Sequence, residues 1–299
     1  MKQIIYTVIM LMITTSPLYS QEVPFKMEEL AAPDFAKAVD QSSSTIILPM
    51  GVFEKHGPHL PIGTDLYTAR EIALRAAKEE YTVVFPWYYV SHISEARNHP
   101  GTISYSPKLI WDMLQETINE VSRNGFKKII IYNAHGGNNA FLNYFGMAQF
   151  SEQRDYALYI CSPNWDAPGL INQVEDLTQH DPYDSHAGNT ETALMLALTP
   201  DLVHIDKAKD ESGINQQRTE HLPNIFTGIW WYAQYPNHYS GDGSKANLEA
   251  GELLLNAFVE QLTTIIRNVK ADDEVLKMQE QFFKESVSPL QTKTFRKVK

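Results

Sequence analysis

Lys128-Ile-Ile-Ile-Tyr-Asn-Ala-His-Gly-Gly-Asn138 decides the fold of this chain. Three consecutive isoleucines followed by a tyrosine leave no polar face, the pattern of a strand buried on both sides in a parallel sheet. The strand ends at Asn133, and Gly136-Gly137 permits a sharp turn. The apolar spacing from Asn138 to Phe150 then predicts a helix. Working outward, Ser106-Pro107 opens a helix with Leu109, Ile110, Met113, Leu114, Ile118 and Val121 on one stripe, and Gly125 stands where its C-terminal cap belongs. Thr45–Met50, Thr82–Phe85 and Ala157–Cys161 read as further strands, and Asp65–Lys78, Glu191–Leu198 and Ala246–Ile266 as further helices. Strands alternating with helices give an α/β class with a mostly parallel sheet. No repeat or linker divides residues 21–270. Residues 271–299 read as an appended helix, with Val275, Met278 and Phe282 on one face, and a basic tail containing Lys293, Arg296, Lys297 and Lys299.

Composition narrows the function. The 299 residues carry 25 Lys+Arg against 36 Asp+Glu, a net charge of −11, so no basic excess exists to neutralise nucleic-acid phosphates. A single cysteine, Cys161, excludes an intrachain disulfide framework and a multi-cysteine zinc site. Ten histidines leave nitrogen/oxygen metal sites open. Residues 1–20, MKQIIYTVIMLMITTSPLYS, have the layout of a secretory signal: Lys2, an apolar run from Ile4 to Ile13, then Ser16 and Pro17. The expectation is a periplasmic or secreted protein with no membrane attachment after cleavage; an uncleaved anchor is the alternative.

Three clusters carry chemistry. In GVFEKHGPHLPIGTD (51–65), Glu54 and His56 are two apart and share a side of extended chain, His59 follows, and the loop delivers Asp65 to a helix start. At the carboxyl end of a strand in an α/β sheet, these are ligand types for zinc or manganese, and Asp65 has two oxygens with which to bridge two ions. A helix cap and a hydrogen-bonded pair account for the same residues. Asn133, His135, Gly136, Gly137 and Asn138 occupy the equivalent place after the KIIIY strand. His135 reads as a metal ligand, with the N–H groups of Gly136, Gly137 and Asn138 available to an oxyanion; a glycine-rich turn bearing a surface histidine is the alternative. In DSHAGNTETALMLAL (184–198), Glu191 reads as a metal ligand with a catalytic role and His186 as a proton carrier, or else as a dipole-stabilising carboxylate and a loop histidine. Ser94, Glu95 and Arg97 are candidates for facing a substrate. The aromatic stretch Gly228–Tyr232, with Tyr235 and Tyr239, reads as a cavity wall, a subunit interface or ordinary core.

Taken in order, GVFEKHGPHLPIGTD, SEARNHPGTIS (94–104), NAHGGN, SHAGNTETALML and GDGSKANLEAGELL (241–254) resemble the creatininase (creatinine amidohydrolase) family over roughly residues 44–265. The resemblance implies a three-layer α/β sandwich and two divalent metal ions, zinc or manganese with iron as an option. Glu54, Asp65 and His135 would hold one ion, and His56 with the shared Asp65 the other. It also implies His186 as the proton-transfer residue, a small-molecule substrate and a homo-oligomer, often a hexamer. The chain departs from creatininase proper. Gly136-Gly137 stands where a Tyr-Glu pair supplies a carboxylate, which leaves Glu191 as the candidate, and Ala96 replaces a common histidine. The HGGN form is similar to branches that include a pyrimidine-nucleotide formamide deformylase and a peptidase acting on a redox-cofactor precursor. The expected reaction is hydrolysis of an amide, cyclic amide or formamide C–N bond by a metal-bound hydroxide. The alternatives are a lactonase or peptidase on the same centre, or a non-catalytic periplasmic ligand-binding protein.

Overall fold

A computed structural model describes residues 23–292; the leader read at 1–20 and the tail residues Lys293, Arg296, Lys297 and Lys299 lie outside them. The strands are β1 (Thr45–Met50), β2 (Val83–Val84), β3 (Lys128–Asn133) and β4 (Ala157–Cys161). The helices are α1 (Ala32–Gln41), α2 (Thr64–Glu79), α3 (Pro107–Arg123), α4 (Asn139–Ala148), α5 (Leu170–Leu177), α6 (Asn189–Leu198), α7 (Trp230–Gln234), α8 (Leu248–Ala271) and α9 (Glu274–Ser286). The sheet runs β2-β1-β3-β4 with every pairing parallel, so the KIIIY strand is central.

Side-chain alternation explains why β3 has no polar face. Ile129 and Ile131, with Ile46, Leu48 and Met50 of β1, pack against Leu114 and Ile118 of α3 and Leu142 and Phe145 of α4. Ile130 and Tyr132, with Ile47, point the other way, into α2, α5, α6 and α8. The chain is thus a three-layer α/β sandwich with helices on both faces. Leu254, Phe258, Leu262 and Ile266 recur every four residues on α8 and are fully buried, each contributing about 1.5–3 kcal/mol of burial free energy.

The register Met50↔Asn133 sets the ends of β1 and β3 side by side, so the loops leaving them emerge at one rim. Gly51 makes the next step possible. A Cβ there would lie 2.7 Å from the Asp65 backbone, so only glycine lets the α2 N-terminus fold back against the end of β1.

Several elements differ from the sequence reading. The strand at 82–85 shortens to two residues, and the helix expected to reach Phe150 ends at Ala148 and tightens into a 3₁₀ turn over Gln149–Ser151. The helix read from 246 to 266 runs to Ala271. Helices α1, α5 and α7 are further elements beyond those expected from the sequence. On α9 Phe282 of the expected face packs edge-on against Phe150 at 5.1 Å, and Phe283 stacks on the same ring at 6.3 Å; Met278 is exposed instead, and Gln279 Nε2 donates to the Tyr156 carbonyl. Among the described residues no helix is long and apolar enough to cross a membrane.

Candidate metal centre

Glu54, Asp65 and His135 meet at the β1/β3 rim, all buried. His135 Nδ1 lies 2.8 Å from Glu54 Oε1 and 3.2 Å from Asp65 Oδ2. A ring nitrogen carries at most one proton, so it cannot satisfy both oxygens, and neither buried oxygen has a hydrogen-bond partner. Unpaired buried carboxylate oxygens are costly. Three donors within 4.8 Å of one another match a cation held at about 2.0–2.2 Å by each. The residues present therefore fit a divalent metal ion.

The other Asp65 oxygen faces the opposite way. Oδ1 lies 3.1 Å from His56 Nε2, which is 3.9 Å from Glu191 Oε2. Glu191 sits in the first turn of α6, where its carboxylate accepts the Ala187 N–H. His186 Nδ1 is 3.9 Å from the same Glu191 oxygen, so His56, His186 and Glu191 form a second convergent set. His59 locks this side in place. Thr192 Oγ1 donates to the Ala187 carbonyl and accepts from His59 Nε2 at 2.8 Å, tying the loop after β1 to α6.

Electrostatics in the cation-free protein follow from crowding three carboxylates and several imidazoles in a buried space. Burial pushes the His56 imidazole down, but Asp65, joined by Glu54 and Glu191, outweighs it and lifts the ring to about 10. His135 is lifted well above the ordinary range, against its burial, by Glu54 and Asp65. Burial alone would raise the Glu54 carboxyl, yet His135 foremost holds it well below the usual range. The protons on His56 and His135 thus stand where cation charge would stand. Burial raises Glu191 to about 7, and burial together with His56 holds His186 well below its ordinary value, so His186 is neutral.

One functional residue was missed in the sequence. His238 Nε2 meets Glu54 Oε2 in a very short contact, and Trp231 Nε1 donates to His238 Nδ1 at 2.8 Å. An indole N–H only donates, so Nδ1 is the acceptor and the ring presents its Nε2 proton to Glu54. Glu54, His186 and His238 also form a third set of possible metal-holding donors. His238 (φ +51°) and Ala187 (φ +57°) both adopt left-handed backbone, a strained conformation for residues with a Cβ. No spacing rule links residue 238 to residue 54; a histidine seven positions after a tryptophan was the only signal.

Glu54, Asp65, His135, His186, Glu191 and His238 line a cavity of about 360 Å³ with Gly136, Gly137, Trp230, Trp231 and Tyr235, and His56 lies buried behind it. Glu95 also faces it, paired with His92 at 3.2 Å. A Cβ on Gly137 would collide with both His135 Nε2 and Glu95 Oε1, which is why glycine occupies this floor. Two residues expected to face substrate do not line this cavity. Ser94 is exposed and lines the neighbouring groove. Asn138 is buried away from the cavity: its side chain accepts from Ser91 Oγ and His92 N and donates to Asn133, and its N–H is spent on the His135 carbonyl. A tight 3₁₀ turn consumes that amide, so only Gly136 and Gly137 remain on the cavity floor.

Comparison with known proteins follows this geometry. The family model for creatininase, creatinine amidohydrolase, matches residues 28–266. Creatinine amidohydrolase of Pseudomonas putida is 27% identical over 80% of this chain and 95% of its own length. 3-Dehydro-scyllo-inosose hydrolase of Thermotoga maritima is 26% identical over 75% of this chain and 77% of its own. Mycofactocin precursor peptide peptidase of Mycolicibacterium smegmatis is 30% identical over 54% and 61%. Among solved structures, a mutant creatininase in a Zn–Zn form superposes with a TM-score of 0.70 at 23% identity, covering 83% of this chain and 99% of its own, and a manganese form with 0.69 at the same identity and coverage. The chain belongs to the creatininase (creatinine amidohydrolase) family of hydrolases.

Proposed function

We propose that the rim cluster is a dinuclear metal centre that hydrolyses an amide, cyclic amide or formamide C–N bond of a small molecule. The observation that carries this reading is Asp65, whose two oxygens face two imidazoles on opposite sides, His135 at 3.2 Å and His56 at 3.1 Å. Glu54, Asp65 and His135 would hold one ion, zinc or manganese, and His56, Asp65 and Glu191 the other. When bound, the ions supply Lewis acidity and bring the pKa of water toward ~7.

The remaining work falls to the chain. Gly136 and Gly137 line the cavity, and their N–H groups would favour charge developing on a carbonyl oxygen there. His186 Nε2 donates to the Lys55 carbonyl at 3.0 Å, which fixes the tautomer and leaves Nδ1 free to carry a proton to the leaving nitrogen. Trp231 and Tyr235 exclude bulk water from one side. The same reading takes residues 1–20 as a secretion signal, the mature chain as periplasmic and the working form as a homo-oligomer.

The test is metal analysis with amide hydrolysis assays on Glu54→Gln, His56→Ala and His186→Ala. Loss of bound metal in the first two, and retained metal with lost turnover in the third, supports the reading. Full metal content and full activity in all three ends it.

A further inference from the structure

A second cavity opens directly off the first. It measures about 820 Å³, more than twice the 360 Å³ of the metal cavity, and shares Glu95, Gly136, Gly137 and Trp230 with it. One wall is apolar and exposed: Phe226, Ile229, Trp230 and Tyr232. The opposite wall is the start of α4, at Asn139 and Ala140. Tyr232 is pinned from behind by Arg218, whose guanidinium lies 4.8 Å over its ring and donates to the Tyr232 and Ala233 carbonyls, so the wall is preformed. At the rim stands Arg97, exposed, with no hydrogen bond or ion pair from its guanidinium among the described residues. In a chain with eleven more acidic than basic groups, an uncommitted guanidinium beside an apolar groove is a receptor for a carboxylate.

We infer that this groove is a substrate subsite, resting on the amidohydrolase reading above, and that the substrate is an amide carrying an apolar, aromatic-sized group and a free carboxylate. The amide would sit at the rim cluster, the apolar group against Ile229 and Trp230, and the carboxylate on Arg97. A site built for a compact cyclic amide alone would have no use for the groove, and its volume lies within the 300–1,000 Å³ of cavities that enclose extended ligands.

Calorimetry on the zinc- or manganese-loaded full-length protein tests the inference with three probes. N-methylacetamide has only the amide, N-acetylphenylalanine amide adds the ring, and N-acetylphenylalanine adds the carboxylate. Affinity should rise at least ~10-fold with the ring and again with the carboxylate. Arg97→Gln should erase the second gain and spare the first. Ala140→Trp should weaken both ring-bearing probes ~10-fold, as should Gly228→Leu, where an added Cβ meets no atom within 4 Å. Equal affinity for all probes, unmoved by the three variants, overturns the inference. So does a change of oligomeric state in Ala140→Trp and Gly228→Leu without any effect on probe binding, which would assign the groove to a second copy of the chain. Metal-dependent hydrolysis is scored separately: its absence on every amide sinks the amidohydrolase reading, while the binding series still decides the groove.

Discussion

The two halves of the site are built in different ways. Glu54, His56, Asp65 and His135 ride on the ends of β1 and β3 and the first turn of α2, elements fixed by the central sheet. His186, Glu191, Trp231 and His238 come from segments off the sheet. Those segments are held by the bridge between His186 and Ser240, by the His186–Lys55 hydrogen bond and by the His238–Glu54 contact. The sheet half is set by strand register. In the second half Glu191 rides on α6, which packs into the core beside α8, whereas His186 and His238 are held by polar ties, each worth about 0.5–1.5 kcal/mol net. Under the proposed function the first half supplies most of the cation ligands, and the second supplies Glu191 as a further ligand, His238 behind Glu54 and His186 as the proton carrier.

Four outcomes would break or sharpen that division. Asp65→Asn should cost the most, because it alters both sites at once; metal analysis should find both ions lost and hydrolysis abolished, while circular dichroism stays native. His186→Ala should retain both ions and lose ~10²–10⁴-fold in kcat; loss of an ion would make His186 a ligand and place it with those of the first half. His238→Ala and Trp231→Phe should each weaken metal affinity ~10–100-fold, since both act on Glu54 from behind. Chelator titration reads this directly, and emptying as complete as in Asp65→Asn would erase the distinction between the halves. Ser240→Ala removes the hydroxyl tie to Ser185 and to the Tyr183 carbonyl. It should cost about 1 kcal/mol in denaturant unfolding, with metal content unchanged.

The sheet half was legible because its signals are local. Glu54 and His56 share a side through the two-residue period of extended chain, and KIIIY followed by Gly-Gly marks both a central strand and its turn. Asp65 required one further inference, that a 14-residue glycine- and proline-rich loop returns to the strand end, and Gly51 is the physical reason it does. The second half was only partly legible. His186 and Glu191 stood out through a short motif, whereas His238 had none. Asn138 misled because its sequence neighbours suggested a free amide, and the 3₁₀ turn that consumes that amide is not written in residue types. Met278 misled on α9 because exposed and docked apolar residues look alike until the partner surface, here Phe150 and Tyr156, is known.

The α/β alternation, the central strand and the shared side of Glu54 and His56 were legible in the sequence, since each follows from spacing within a few residues along one element. The tertiary structure alone placed His238 behind Glu54 across 184 residues of chain and opened a groove lined by Trp230 beside the rim cluster. Contacts between distant segments depend on how whole layers pack, and no local period encodes them.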